Sequence, residues 1–135
     1  MRKLPAVLTT VAMAAALISA SAPSASADQG ACSVDGSYGY WWGYWASNTR
    51  VDPLELHLYD TAADGHHPAI RLVTKTNAGT IKEWPWHHLN GGKGAAEIWS
   101  SYASDPAGIA AVTVDVAIFE KDKWLVSDRC GWTNR

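Results

Sequence analysis

Eight tryptophans and five histidines are the residues of this chain whose types lend themselves to chemistry. An indole ring stacks on flat ligands through its apolar face and keeps one polar handle, its N–H. An imidazole binds metals or moves protons near neutral pH. Trp84, Trp86 and His88 recur at a spacing of two on either side of Pro85, and in extended chain that spacing puts side chains on one face. The three are expected to form an aromatic ledge for a ligand. Pro85 has no amide hydrogen and belongs at a sheet edge or a bulge, where a further strand does not cover its neighbours. The glycine-rich residues 90–94 form a loop expected to close over that ledge. A second aromatic run, YGYWWGYW over residues 38–45, has rings on both faces if it is a strand. Trp41, Trp42 and Trp45 therefore cannot all point inward, and one of them is expected to extend the ledge, with Trp41 and Trp45 as the candidate ligand contacts. The competing explanation is structural, since a small β core is readily filled by large rings; Trp99 and Trp124, inside alternating stretches, read as core or sheet-face residues.

Other chemistries are less well supplied. Histidine occurs as His66-His67, His87-His88 and His57 alone. Neighbours on a strand point to opposite faces, so neither pair makes a metal site unaided. A site would need His66 or His67 brought near Asp60, Asp64 or a member of the second pair. With no HExxH motif and no close H-x-H spacing, no metal or other cofactor is expected. Asp60, Asp64, Glu83 and Glu97 are the carboxylates a glycosidase would need, but their spacing opposes no two of them. There is no G-x-S-x-G elbow, and residues 90–94 lack the spacing of a phosphate-binding loop. The expectation is a protein without catalytic activity.

These residues must be positioned by one small domain. Arg2 and Lys3, an apolar run to Ile18 and the small residues ending Ala25-Ser26-Ala27 have the form of a secretory leader. The run is too short to span a bilayer. Residues 1–27 are thus expected to be removed and residues 28–135 to form a single exported domain. The whole chain carries a net charge of −2, and loss of Arg2 and Lys3 makes the remainder more acidic. No run of Lys or Arg offers a nucleic acid or an anionic membrane a binding surface. Export makes a disulfide the natural state of the two cysteines. The one intramolecular pairing is Cys32 with Cys130, worth roughly 4.7 kcal/mol for a loop of about 100 residues in the chain-entropy view. Two free thiols or an intermolecular link are the alternatives.

The closing seam is the clearest piece of secondary structure. Residues 109–120 alternate, with Ala110, Val112, Val114, Val116 and Ile118 on one face; Lys121-Asp122 turn the chain, and a strand from Trp124 folds back toward Cys130. Leu54, Leu56 and Leu58 alternate with Glu55, His57 and Tyr59. Ile70, Leu72 and Thr74 alternate with Arg71, Val73 and Lys75. Residues 28–37 are small and polar and read as an arm held by Cys32. Turn signals recur about every ten residues, which predicts an all-β, antiparallel sandwich of about six or seven strands, closed by one disulfide.

Asp105-Pro-Ala-Gly-Ile109 followed by Ala111 resembles the corner that enters the sixth strand of immunoglobulin-like domains. Ile109 stands in place of the corner tyrosine and Ala111 in place of the cysteine. The resemblance implies an Ig-like sandwich without the hydrogen-bonded corner or the central disulfide. The whole chain, with its leader and its tryptophans, is similar to small Trp-rich secreted proteins of high-GC Gram-positive bacteria, a group that implies export and no particular activity. The expected role is a secreted, monomeric binding module for a glycan or other extracellular polymer; the alternative is a protein-binding domain, such as an inhibitor of a secreted hydrolase or a cell-surface contact.

Overall fold

The computed structural model describes residues 27–135, so the expected leader lies outside the described residues except for Ala27. The chain is all-β. Its strands are β1 (Ala27–Val34), β2 (Ser37–Ser47), β3 (Arg50–Asp60), β4 (His67–Lys75), β5 (Ile81–Glu83), β6 (His87–His88), β7 (Ala96–Ser104), β8 (Ala111–Glu120), β9 (Lys123–Arg129) and β10 (Thr133–Asn134). No helix among the described residues is long and apolar enough to cross a membrane.

Two antiparallel sheets pack as a sandwich. The first runs β1-β2-β3-β7; in the second, β8 and β4 are central, β5 and β6 line the β4 edge, and β9 and β10 line the β8 edge. Directly opposed residues share a face, so the pairings Trp41↔Leu56 and Leu72↔Val114 identify the two inner surfaces. Trp41, Leu54, Leu56 and Leu58 from the first sheet meet Ile70, Leu72, Val112, Val114 and Val116 from the second, all almost without solvent exposure. Each such side chain contributes about 1.5–3 kcal/mol on burial. Gly39 allows the sheets this approach: a Cβ there would stand 2.9 Å from Ile70 Cδ1 and 3.0 Å from the His57 carbonyl oxygen.

Cys32 and Cys130 form the disulfide, with Cα atoms 5.4 Å apart. It ties β1, at the edge of one sheet, to the end of β9, at the edge of the other. Residues 28–34 are no loose arm: β1 pairs with β2 from Ala27↔Tyr44 to Val34↔Ser37. Ladder hydrogen bonds come from the backbone, so a strand of small polar residues gives little sign of itself in sequence. The immunoglobulin order is not the one found. There the third strand crosses to the second sheet; here β3 stays beside β2 and β4 is the first to cross. The corner itself is a turn in which the Ala107 N–H donates to Asp105 Oδ1 and Gly108 adopts φ 89°. A second difference bears on function. β8 alternates as expected, yet its outward residues Thr113, Asp115, Ala117 and Phe119 are buried too. Something covers the outer face of the second sheet.

Candidate functional site

The cover is built by two irregularities, one at each edge of that sheet. β5 opposes β4 through Thr74↔Lys82 and Val73↔Glu83, whereas β6 opposes it through Ile70↔His87 and Ala69↔His88. The edge therefore holds one residue more than β4 between these pairs, a bulge at Trp84-Pro85-Trp86. Facing reverses there. Trp84 turns into the sandwich, packs on the core and donates its indole N–H to Thr74 Oγ1 at 3.1 Å. Trp86 turns out. His87 faces in, against Trp99 with ring centres 5.1 Å apart, and its burial there lowers its pKa. His88 faces out.

The opposite edge behaves alike. Between Ile118↔Val126 and Phe119↔Trp124 the register shifts by one residue at Leu125, and Trp124 is set on the outer face beside Phe119. Trp86 meets Trp124 edge-on with centroids 5.7 Å apart and Phe119 at 5.5 Å. Trp124 remains 49% exposed, so its ring offers an open surface, whereas Trp86 is half-buried.

Beneath these rings lies a square of four charges. Asp115, central on β8 and buried, accepts hydrogen bonds at 2.7 Å from Nε of Arg71 and at 2.7 Å and 2.9 Å from Nε and Nη2 of Arg129. Glu83 closes the square, 2.6 Å from Arg129 and 3.1 Å from Arg71. Burial pushes the Asp115 carboxyl up, but hydrogen bonds from the two guanidiniums outweigh it and hold the group below its usual range. The same bonds hold Arg129 above its ordinary value. The Arg71 guanidinium lies 4.4 Å from the centre of Trp86 and 5.5 Å from that of Trp124, so cation–π attraction seats both rings on the square.

Compared with family models, with characterised proteins and with solved structures, the chain matches none. What the site does must be argued from its own geometry.

The expected ledge is thus divided. Trp86 and His88 share a surface, while Trp84 faces away from them; with Pro85, His87 and Tyr102 it lines a lateral cleft of about 220 Å³ floored by Leu54, Leu56 and Leu72. Trp41 is fully buried opposite Leu56 and can stack on no ligand. Trp45, on the same inward parity, packs against the core and donates its indole N–H to Asp28. Neither reaches the second sheet's outer face, because the alternation of β2 sends residues 41, 43 and 45 toward the core. Its outward residues make a second aromatic surface, on the first sheet: Tyr38 beside Tyr59, Tyr40 stacked on His57 at 4.3 Å, and Trp42 against Tyr44. Residues 90–94 face the 61–66 turn across an opening lined by Ala63, His66, Asn90 and Lys93, and Gly94 is anchored by its N–H to the Asp60 carbonyl at 2.8 Å.

Arg71, Asp115, Phe119 and Trp124 were not among the expected site residues. A signal was available: Arg71 sits between Ile70 and Leu72, and Asp115 between Val114 and Val116. A charge inside each of two apolar strands implies a buried partner, and here each is the other's.

Proposed function

We propose that this protein is a secreted, non-catalytic binding module that recognises a glycan or other extracellular polymer through the outer face of its second sheet. The observation that carries this reading is the exposed Trp124 ring set against Trp86 over a fixed array of guanidinium and carboxylate groups. A sugar ring has an apolar C–H face and a rim of hydroxyls. Indole faces suit the first, and Arg129 and Glu83, both partly exposed, offer donors and acceptors for the second. The array is held by charge-assisted hydrogen bonds, so little ordering is left for the moment of binding. Secretion is supported by the leader-like residues 1–27 and by the disulfide, which persists in oxidising compartments. The test is co-sedimentation of the protein with insoluble polysaccharides and cell-wall preparations, where retention on at least one polymer, reversed by its soluble fragments, is expected.

A protein partner is the second reading, favoured by β9. This edge strand exposes Trp124, Leu125 and Val126 in succession, and an edge with apolar side chains suits addition of a partner's strand. Val126→Lys should weaken such a contact and leave glycan binding by Trp124 intact.

A further inference from the structure

We propose that His67 and His88 form a two-imidazole site for a divalent transition metal, with copper(II) the preferred ion. This goes beyond the polymer-binding reading and does not depend on it. The bulge at Pro85 creates the juxtaposition by turning His88 outward, opposite Ala69 of β4. His67, two residues before Ala69, is then its diagonal cross-strand neighbour. His67 Nε2 and His88 Nδ1 lie 3.0 Å apart. Two ring nitrogens at that separation, each about 2.0–2.1 Å from one ion, subtend an angle of roughly 90–97° at it. An angle near 90° suits adjacent positions of a tetragonal site, and among divalent first-row metals a pair of imidazoles binds copper(II) most tightly. Taking up the ion exchanges the hydrogen bond joining the nitrogens for two ligand bonds and requires both rings to turn their lone pairs from each other toward the ion; His88, on the exposed edge, has room to do so.

Phe119 holds the pair ready. The His67 ring stacks nearly parallel to it at 5.8 Å, and the His88 ring meets it edge-on at 4.9 Å. The pair opens on a cavity of about 500 Å³ that Asn90, Asp122 and Lys121 also line. The Asp122 carboxylate lines that cavity without closing on the two ring nitrogens as a third ligand, and the Lys121 ammonium opposes an incoming cation. His66 belongs to another arrangement, 3.7 Å from Asp64, and His87 faces the core.

The test is a titration of chelator-stripped, untagged protein with copper(II), nickel(II) and zinc(II) chlorides. Quenching of Trp86 and Trp124, which pack on Phe119, is followed together with the nitrogen hyperfine pattern of bound copper(II). One equivalent should bind, most tightly as copper(II) and least tightly as zinc(II), with two-nitrogen ligation. Binding should be lost in His67→Asn and in His88→Asn and kept in His66→Asn and His87→Asn. Should His67→Asn fail to fold, the exposed His88→Asn carries the test alone. Absence of saturable binding in the unsubstituted protein, or its survival in His88→Asn, overturns the site.

Discussion

Trp84 and Trp86 flank a single proline and face opposite sides of the same sheet. One indole is bonded to Thr74 on the core side; the other covers Arg71 on the outer side. One extra edge residue thereby produces both a lateral wall of the sandwich and half of the candidate binding surface. The two tryptophans should respond differently to truncation. Trp84→Ala removes a half-buried ring and leaves the Thr74 hydroxyl without its partner, at a cost of about 2–3 kcal/mol. Equilibrium denaturation should show that loss, with ligand binding per folded molecule unchanged.

The Arg71–Asp115–Arg129–Glu83 square predicts an acid limb in stability. The folded-state pKa of Asp115 lies below its unfolded value, so its contribution is fully present above about pH 4 and is lost as the pH falls through the lowered folded value. Thermal melts should show Tm falling across that window. Asp115→Asn should flatten the fall while lowering stability by about 2–3 kcal/mol at pH 7, because it leaves Glu83 alone to balance two guanidiniums under the rings.

Removing the disulfide should cost about 2–5 kcal/mol. The bond closes a 98-residue separation and is the one covalent link between the two sheet edges. A denaturant midpoint measured with and without reductant gives the difference, and mass analysis of the unreduced protein should find no alkylatable thiol.

Gly30 tests a close approach on the inner side of β1. A Cβ there would lie 2.7 Å from Trp41 Nε1 and 3.3 Å from Thr133 Oγ1. Trp41 is fully enclosed and has nowhere to retreat. Gly30→Val should therefore destabilise the fold by about 1–3 kcal/mol through overpacking, read as a lower denaturant midpoint with secondary structure retained.

The legible parts of this chain were those governed by alternation. Leu54, Leu56 and Leu58 face the core as their period of two requires, as do Val112, Val114 and Val116, and the cysteines had one partner each to choose. The parts that were not legible depend on register. Assigning Trp84, Trp86 and His88 to one face assumes an unbroken pleat, and a bulge of one residue reverses it; Pro85 marked the place but not the direction. Trp41 was open to either face until β3 supplied Leu56 opposite it. The polarity of residues 28–34 hid a strand because pairing there uses the backbone. The strand order, with β3 kept in the first sheet, follows from which edges meet, and no local pattern encodes that.

The most direct test of the binding face is the affinity of Trp124→Ala for the polysaccharide that retains the unsubstituted protein. Trp124 is half exposed and roots in no core, so its truncation should leave Tm unchanged within a few degrees. Loss of a stacking ring costs on the order of 1–3 kcal/mol where stacking has been measured on nucleic-acid bases, which sets the expected weakening at about 5- to 150-fold. An unchanged affinity in a folded Trp124→Ala protein, with binding lost instead when Tyr38 or Tyr59 is truncated, would place the ligand on the first sheet and contradict the assignment.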